Sequence, residues 1–467
     1  MPKKKTALTI EERLQQALVP VEEQPYEVPE NWVWVRLGEV VDVLNGDRGK
    51  NYPAKSTLSK EGIPFISAAN LCDNIVVEDD LLCMSEEQYS KLSAGKLMLN
   101  DIVLCIRGSL GKHGKFPFKK GAIASSLVIL RSKDRGRLTD GYVMQYLDVP
   151  LFYDEIKKYD NGTAQPNLAA KNLELFSFPL PPLSEQQRIV ERIEELFAKI
   201  DEAKERLQEA ADSFAVRKAA ILHKAFTGEL TQQWRRENGV SDESWEEKKL
   251  NEICITRAGY AFNSKEFSSN GYQIIRMGNL YGGKLLLDRS PVFIDEKILD
   301  EKIIEKSIIQ KGDILITLTG TKYKRDYGYA VLVTITGKML LNQRILSLRP
   351  KTDNADFICY CLQTKEFRDV FFSNETGGVN QGNVSSKFVE NISIKCPTLS
   401  EQHEIVRLID DLLARERSAQ QAAEQALASI DLMKKSILAR AFRGELGTNK
   451  ASEASALELL RQVLAEN

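Results

Sequence analysis

Apolar residues recur at alternating steps of four and three along two stretches of the chain, which is the spacing of a helix that packs against a partner helix. The first seam comprises Ile189, Ile193, Leu196, Ile200, Leu207 and Phe214. The second seam comprises Ile405, Ile409, Leu412, Ile430, Met433 and Ile437. Arg217 interrupts the first seam and Glu416 interrupts the second. No proline breaks either stretch, so we expect two helices of about 33 residues, or roughly 50 Å each.

Neighbouring residues indicate how these helices begin and pack. Ser184 and Gln187 have the spacing of a capping box, whereas His403 replaces the second member of that box in the later helix. We therefore expect the first helix to be the better capped. One seam is rich in Leu, Ile and Phe and the other in small residues, which favours antiparallel packing of the two helices on each other. Packing of each helix on its own globular domain is the alternative.

Short runs of β-branched residues, separated by Gly, Asn and Asp, precede each long helix. Residues 123–130 and 330–335 are examples, and their pattern predicts short strands mixed with helices. The sequence thus predicts a mixed α/β (α+β) fold, with two globular domains separated by two long antiparallel coiled-coil helices. The predicted segments are an N-terminal segment (1–30), a first globular domain (31–165), a first long-helix region (166–230), a linker (231–244), a second globular domain (245–383), a second long-helix region (384–446) and a C-terminal tail (447–467).

The chain contains an internal repeat. Residues 183–190 (LSEQQRIV) recur as 399–406 (LSEQHEIV), and residues 225–230 (AFTGEL) recur as 441–446 (AFRGEL). Three further blocks keep the same order, and they pair Trp32 with Trp245, Asn70 with Asn279, and Asp101 with Asp313. This order indicates a duplication whose two copies are related by a pseudo-two-fold axis.

Both ends of the chain show shorter helical patterns. Thr9 and Glu12 have the spacing of a capping box, and residues 456–465 are amphipathic. We expect these two terminal helices to meet, which would close the repeat into a ring.

Composition limits the class of protein. Hydrophobic residues make up 43% of the 467 residues, enough for globular cores. No run resembles a secretory signal or a membrane span, so we expect a cytoplasmic protein without membrane contact. The seven cysteines show no paired spacing and the three histidines do not cluster, which favours buried free thiols and predicts no metal site.

Motifs of catalytic sites are missing from the sequence. Residues 108–115 (GSLGKHGK) resemble a phosphate loop in composition but lack its Gly-x4-Gly-Lys-Ser/Thr spacing. The sequence contains no nucleophile elbow, no His-Glu-x-x-His and no Asn/Asp-Pro-Pro-aromatic motif of amino-group DNA methyltransferases. We therefore predict a chain with no catalytic residues of its own.

Basic residues are concentrated at equivalent places in the two halves. Window 107–137 contains nine basic residues and one acid, and window 311–351 contains eight and two, although the net charge of the chain is -2. DNA phosphates require such a local excess, while a solvated charged loop is the alternative for each window alone. A smaller basic loop at 48–52 aligns with residues 257–260. The candidate DNA-binding residues are Arg48, Lys50, Arg107, Lys112, Lys115, Lys119, Lys120, Arg257, Lys322, Lys324, Arg325 and Arg344.

The repeated motifs resemble those of a known family. Each half opens on Trp-x4-Leu-x-Glu, at Trp32 and at Trp245, enters its long helix through Leu-Ser-Glu-Gln, and ends on Ala-Phe-x-Gly-Glu-Leu. Over about residues 30–446 the chain resembles the specificity subunit of type I restriction-modification systems. The resemblance implies that each globular region is a target-recognition domain that reads one half of a bipartite, asymmetric DNA site. It also implies that the two helices set the spacer and dock the methylation subunits.

The same resemblance implies partners. These are double-stranded DNA, two methylation subunits that bind S-adenosylmethionine and modify adenine, and restriction subunits that act as ATP-dependent translocase and endonuclease. The chain itself would be non-catalytic and bind no cofactor. The alternative is a coiled-coil scaffold that joins two protein-binding domains, and it predicts weak, salt-insensitive association with DNA.

Overall fold

The computed structural model describes residues 9–160, 166–378 and 381–466. Residues 1–8, in the predicted N-terminal segment, and 161–165, at the end of the first predicted globular domain, lie outside the described residues. Within these three described stretches, no helix is long and apolar enough to cross a membrane. Helices and strands are numbered below in chain order.

The chain divides into two units. Unit 1 contains the described residues up to 206 and those from 426 onward, and unit 2 contains residues 207–425. Unit 1 therefore includes both ends of the described chain, and the two predicted globular domains fall in different units. The finer segment boundaries given above stay predictions.

Unit 1 combines short helices with twelve described strands. Its helices are α1 (Ile10–Ala17), α2 (Leu37–Val40), α3 (Glu86–Lys91), α4 (Asp140–Tyr146), α5 (Pro150–Tyr159), α6 (Ala170–Leu173) and α16 (Ala456–Glu466), with 3-10 turns at Val21–Glu23, Lys55–Thr57 and Ala68–Asn70. Its strands are β1 (Val33–Arg36), β2 (Val41–Asn45), β3 (Ile63–Ile66), β4 (Leu71–Cys72), β5 (Asn74–Val76), β6 (Leu82–Met84), β7 (Lys96–Met98), β8 (Ile102–Cys105), β9 (His113–Lys115), β10 (Lys120–Ile123), β11 (Leu127–Ser132) and β12 (Ser177–Leu180).

Unit 2 has a similar set of elements. Its helices are α8 (Phe214–Phe226), α9 (Gln232–Glu237), α10 (Leu250–Ile253), α11 (Glu301–Ser307), α12 (Ala355–Cys361), α13 (Lys365–Ser373) and α14 (Ser386–Glu390), with 3-10 turns at Ser264–Glu266, Met277–Asn279 and Glu296–Ile298. Its strands are β13 (Glu246–Lys249), β14 (Cys254–Ala258), β15 (Phe267–Ser268), β16 (Tyr272–Ile275), β17 (Leu280–Tyr281), β18 (Lys284–Leu285), β19 (Phe293–Ile294), β20 (Ile314–Thr317), β21 (Thr319–Gly320), β22 (Ala330–Leu332), β23 (Met339–Leu341), β24 (Ile345–Pro350), β25 (Gly382–Asn383) and β26 (Ser393–Cys396).

The two units repeat one sheet topology. Antiparallel β2, β11 and β8 of unit 1 correspond to β14, β24 and β20 of unit 2. A second sheet pairs β3 with β10 in parallel, and β16 pairs with β23 in the same way. Strands β8 and β20 are buried along their whole length, which explains why their sequences are continuous apolar runs. The predicted mixed α/β fold with an internal repeat is confirmed.

Each long helix begins at the leucine of the repeated motif. Helix α7 spans Leu183–Asp212 and helix α15 spans Leu399–Ala441. The second helix is longer than predicted, and the first ends earlier, because Ser213 separates α7 from α8. The Ser213 hydroxyl donates to the Ala210 carbonyl at 3.1 Å, and such local side-chain bonds compete with regular helix.

The predicted capping box at the start of the first long helix is wrong. Ser184 already lies in the first turn of α7, where the Glu185 and Gln186 amides donate to the carbonyl of Pro182. In α15 the cap is Thr398, whose hydroxyl accepts from the Glu401 amide at 3.4 Å. The predicted cap at Ser184 lies too late in the chain, because the helix starts directly after Pro182, which has no side-chain acceptor.

Seam residues close to each domain are the most buried. Ile189 and Ile193 belong to the core of unit 1, and Ile405 and Ile409 belong to the core of unit 2. Ile430 is also buried. The half-buried members are Leu196, Ile200, Leu207, Phe214, Leu412 and Ile437.

Met433 does not belong to the seam. Its side chain is 50% exposed, so that assignment is wrong. Lys434 takes the seam position in unit 1, with its Nζ 5.0 Å from the ring centroid of Phe197 and 2.6 Å from Asp201 Oδ1. A long apolar stem with a paired charge can replace a hydrophobic residue at such a position.

The two residues that interrupt the seams contact each other in unit 2. Arg217 Nε lies 2.5 Å from Glu416 Oε2. The side chains are 35% and 25% exposed, respectively. The two interruptions therefore form one complementary ion pair between α8 and α15.

Replacing both Arg217 and Glu416 with leucine is expected to leave unit 2 at least as stable as the wild type, because an apolar pair needs no desolvation of charge. Glu416→Leu alone is expected to lower the free energy of unfolding by about 1–2 kcal/mol, since it leaves Arg217 half-buried without its carboxylate. Urea unfolding of the four proteins of the double-mutant cycle measures both effects. A double variant less stable than the single variant would contradict this expectation.

A buried glutamate follows the start of each long helix. Glu185 Oε2 accepts from Trp32 Nε1 at 2.7 Å and from Asn449 Nδ2 at 2.8 Å in unit 1. Glu401 Oε1 accepts from Arg235 Nη1 at 2.7 Å in unit 2. One motif position thus holds the helix start to the C-terminal segment in unit 1 and to the linker in unit 2.

The two terminal helices meet as predicted. Thr9 and Glu12 form the capping box of α1. Arg461 of α16 lies 3.2 Å from Glu11 of α1, and Leu460 is part of the core of unit 1. The two ends of the described chain are therefore joined within one unit.

Candidate nucleic-acid interface

Three loops of unit 1 meet beyond the parallel strands β3 and β10. The Ala124 amide donates to the Ile66 carbonyl at 2.8 Å, which places the turn after β10 beside the 3-10 turn after β3. The Ile106 amide donates to the Ser126 carbonyl at 2.9 Å, which brings the loop after β8 to the same place. We define the turn cluster of unit 1 as residues 67–70, 106–112 and 124–126.

Three of the predicted DNA contacts lie at this turn cluster. Lys112 Nζ donates to the Ala68 carbonyl at 3.0 Å. Arg48 Nη2 lies 3.5 Å from the Ser125 carbonyl, and Arg107 is the second residue after β8. All three basic side chains are exposed, so the turn cluster presents several cations on one surface.

Buried Asp47 fixes the loop that carries Arg48 and Lys50. Its Oδ1 accepts from the Gly49 amide and its Oδ2 from the Ser93 amide, both at 2.8 Å. The Gly49 amide, followed by that of Ser93, lowers the pKa of Asp47 below its ordinary value, so the carboxylate stays ionised and keeps these bonds. Lys50 is exposed on the loop that Asp47 holds.

Unit 2 repeats this arrangement. The Asn342 amide donates to the Ile275 carbonyl at 3.2 Å, and the Leu318 amide donates to the Arg344 carbonyl at 2.9 Å. The 3-10 turn Met277–Asn279 takes the place of the turn after β3. We define the turn cluster of unit 2 as residues 276–279, 318–325 and 342–344.

Two adjoining clefts run along the turn cluster of unit 2. Their volumes are about 540 and 680 Å³, and Arg289 and Arg344 line both. The second cleft adds Arg276 and Gln343. The Arg289 guanidinium lies 5.1 Å from the centroid of the Tyr281 ring. Several guanidinium groups and an amide that lie this close together can donate hydrogen bonds to phosphate oxygens and to the acceptors on base edges.

Arg276 and Arg289 are not among the contacts predicted from the sequence. The basic window began at residue 311 and therefore excluded both. Arg276 directly precedes the 3-10 turn that ends at Asn279, and the repeat pairs Asn279 with Asn70. The alignment of the two copies therefore points to Arg276.

The predicted contacts Lys322 and Lys324 lie in the turn cluster of unit 2. Lys322 Nζ donates to the Gly377 carbonyl at 2.8 Å, which holds this loop against the segment before β25. The Lys324 side chain is exposed.

Three predicted contacts of unit 1 lie away from its turn cluster. Lys119 precedes β10 and Lys120 begins it, so both stand at the opposite end of that strand, and Lys120 pairs with Glu86. Lys115 ends β9 and lies close enough to Asp140 to influence its pKa. A count of charges along the sequence does not distinguish the two ends of one strand. These three residues therefore lie away from the turn cluster, and their assignment as DNA contacts stays a prediction.

One predicted contact of unit 2 is paired within the protein, and another is half-buried. Arg325 Nη1 lies 2.9 Å from Asp369 Oδ1. Arg257 is half-buried in β14, where its Nη1 is buried with no hydrogen-bond partner among the described residues. Arg325 therefore already has a carboxylate partner, and Arg257 is only partly exposed.

Part of each basic window is structural. Arg131 binds both carboxylate oxygens of Asp101 at 2.9 and 2.6 Å, and Arg349 binds those of Asp313 at 2.6 and 2.9 Å. Both aspartates are fully buried. Hydrogen bonding to these carboxylates raises the pKa of each arginine. The excess charge left for phosphates is therefore smaller than the sequence windows indicate.

Equivalent positions of the two turn clusters carry different side chains. Ser125–Ser126 follow β10 in unit 1, whereas Gln343–Arg344 follow β23 in unit 2. Ser67 precedes the 3-10 turn in unit 1 and Arg276 precedes it in unit 2, and each backbone amide donates to the side-chain oxygen of the asparagine three residues later, at 3.0 and 2.9 Å. The backbone frame is thus shared, while the groups that could read bases differ.

Comparison with known proteins places this frame in a family. The model of the family described as "Type I restriction modification DNA specificity domain" matches residues 29–211 and 242–426. The chain belongs to the type I restriction-modification DNA specificity family. Each match covers one copy of the repeat, so this specificity subunit has two target-recognition domains, as the resemblance implied.

Relatives in this specificity family align along most of the chain. The type I restriction enzyme EcoKI specificity subunit of Escherichia coli (strain K12) is 26% identical over 471 residues, which cover 94% of this chain and 96% of that protein. The MjaVIII specificity subunit of Methanocaldococcus jannaschii is 27% identical over 414 residues, which cover 85% and 91%. The HsdS subunit from Thermoanaerobacter tengcongensis, a crystal structure, has a TM-score of 0.64 at 18% identity and covers 91% of this chain and 100% of that one. This last likeness shows a shared fold.

Proposed function

We propose that this specificity subunit reads a bipartite, asymmetric DNA site, with the turn cluster of unit 1 on one half and that of unit 2 on the other. The observation that supports this assignment is the change from Ser125–Ser126 to Gln343–Arg344 on one backbone frame. Arginine and glutamine make bidentate hydrogen bonds to base edges, whereas serine makes single bonds. The two units would then prefer different base sequences.

Selection of duplexes from a random DNA library tests this function. The chain, co-purified with its methylation subunits, is expected to enrich two short motifs at one fixed separation at physiological salt. Binding without any enriched sequence would instead favour the scaffold that joins two protein-binding domains.

We propose further that the chemistry belongs to the partners. The sequence lacks the motif of amino-group DNA methyltransferases, so the methylation subunits would bind S-adenosylmethionine, and restriction subunits would join them. A chain of similar fold, with a TM-score of 0.60 at 19% identity, comes from work on complex assembly and conformational transition of the type I R-M system. The purified chain is expected to show no methyl transfer to DNA, and transfer by this chain alone would contradict the assignment.

The long helices are proposed to set the spacer and to dock two methylation subunits. Val216 on α8 and Leu432 on α15 occupy equivalent positions of the repeat, and each is 71% exposed. An exposed apolar residue at the same place in both copies suits two identical partners.

Val216→Asp and Leu432→Asp are each expected to weaken the binding of one methylation subunit about 10- to 100-fold, because burial of such a side chain contributes about 1.5–3 kcal/mol. Native mass spectrometry, which counts bound subunits, measures the effect. Ile298→Asp is the control, since Ile298 is also exposed, at 56%, but lies outside the long helices. Two bound subunits at wild-type affinity in both helix variants would contradict this docking surface.

Lys324→Ala is expected to weaken DNA binding by about 1 kcal/mol and to reduce the slope of log affinity against log salt by about 0.9, as for one phosphate contact. Lys119→Ala is the matched control, because it removes an exposed lysine outside the turn clusters. Titrations at several salt concentrations compare the two variants. Equal effects from both would show that the turn clusters are not the DNA surface.

A further inference from the structure

An aromatic group in unit 1 is covered by the N-terminal segment. The Phe442 ring stacks on Tyr142 with centroids 4.7 Å apart and lies 6.1 Å from Tyr146. The Tyr26 hydroxyl donates to the Phe442 carbonyl at 3.1 Å, and the Tyr26 carbonyl accepts from Trp34 Nε1 at 3.1 Å. Tyr26 is also near enough to Tyr142 and Tyr146 to contribute, after burial, to the raised pKa of each hydroxyl.

Unit 2 contains the same framework in an equivalent register. The Gln186 side-chain oxygen accepts from the Thr139 amide at 3.0 Å in unit 1, and that of Gln402 accepts from the Asn354 amide at 2.9 Å in unit 2. This shared bond aligns α4 with α12. It pairs Tyr142 with Phe357 and Tyr146 with Cys361, and the repeated motifs pair Phe442 with Phe226 and Trp34 with Glu247.

Two of these replacements remove a large side chain from unit 2. Cys361 takes the place of Tyr146, and Glu247 takes the place of Trp34. The rings of Phe226 and Phe357 remain, with centroids 5.1 Å apart. The rest of the frame is therefore kept, while smaller side chains replace two of the rings that unit 1 has there.

A cavity of about 430 Å³ lies at this position in unit 2. Phe226, Cys361, Phe367 and Ile394 are among the residues that line it. Val370, also in the lining, is 46% exposed. The lining also includes polar side chains, among them His223, Glu247 and Glu366. The unit thus has an open, mainly apolar site at the place where unit 1 holds a segment with an aromatic side chain.

We propose that this cavity binds an extended segment of a methylation subunit that carries a tyrosine or tryptophan, in the way that unit 1 binds its own Tyr26. The Phe226 carbonyl is the counterpart of the Phe442 carbonyl that accepts from Tyr26, so the frame keeps an acceptor for the polar tip of the bound ring. An aromatic side chain with one satisfied polar atom gains a large buried area at little entropic cost. The proposal rests on the proposed function only in its choice of the methylation subunit as the partner.

The test uses the full chain assembled with its methylation subunits. Cys361→Tyr restores the side chain that unit 1 has at this position, and it is expected to weaken assembly at least tenfold. Cys361→Ser leaves the cavity open, and its affinity is expected to stay within twofold of the wild type. Val370→Glu tests the exposed rim without a change in the buried framework, and it is also expected to weaken assembly at least tenfold.

Photo-crosslinking identifies the occupant directly. With p-benzoylphenylalanine in place of Val370, the crosslinked peptide is expected to be a methylation-subunit segment that contains tyrosine or tryptophan. Wild-type assembly of Cys361→Tyr and Val370→Glu would overturn the proposal, as would a crosslink that maps only within this chain. Failure of the proposed function gives a different result, because the wild-type chain itself would then bind no methylation subunit. Failure of this proposal alone leaves wild-type assembly intact.

Discussion

The Glu401→Ala variant is expected to lose about 3–5 kcal/mol of the free energy of unfolding of unit 2. Glu401 is fully buried and accepts from Arg235 and Thr231 at 2.7 Å each and from Trp245 at 3.2 Å. The Arg235 side chain is only 7% exposed. Alanine leaves that guanidinium with exposed Asp242 as its remaining carboxylate, and it leaves two further donors without their acceptor.

Hydrogen–deuterium exchange resolved by peptide measures this loss within each unit. Peptides of unit 2 are expected to lose protection, while those of unit 1 keep it, because Glu185 makes the corresponding contacts there. Asp411→Ala is the control on the same helix, since its pair with Arg415 is 47% and 74% exposed and contributes at most about 1 kcal/mol. Equal exchange in the Glu401 and Asp411 variants would refute the structural role given to Glu401.

Replacing Gln343–Arg344 with two serines is expected to reduce discrimination at one half-site by about 1–3 kcal/mol for each base that either side chain binds through two hydrogen bonds. The change gives unit 2 the residues that unit 1 carries at the same turn, and the backbone bond from Leu318 to residue 344 does not require either side chain. Competition among duplexes altered in one or the other half-site measures discrimination at each half separately.

The reciprocal change, Ser125→Gln with Ser126→Arg, is the matched experiment in unit 1. It is expected to alter preference at the half-site that unit 1 reads and to leave the half-site of unit 2 unchanged. Loss of discrimination at both half-sites from either double variant would contradict independent reading by the two units.

The features that the sequence predicts best are those that depend on local periodicity. The seams from Ile189 and from Ile405 indicate two long helices, and the repeated motifs indicate the duplicated fold, because both signals lie within short stretches of sequence. Helix ends were harder to predict, because the apolar spacing continues through Phe214 although α7 ends at Asp212.

The candidate surface was only partly predictable, because it depends on strand register and on partners distant in sequence. Lys112 and Lys120 belong to one basic window, yet they lie at different ends of the sheets. Arg131 has the same charge as both but is bound to Asp101, 30 residues away in the chain. Arg276 lies outside the windows altogether and reaches the cleft because β16 pairs with β23.

Unit 1 is built from both ends of the described chain, and this has a consequence for folding during synthesis. Arg188 of α7 binds Glu453 at 2.8 Å, and Glu185 binds Asn449, so these contacts require residues that are synthesised after unit 2. All of residues 207–425 emerge earlier than that. Domains fold as units as they leave the ribosome, and the half of the protein that is translated first is therefore the half that completes its native core last.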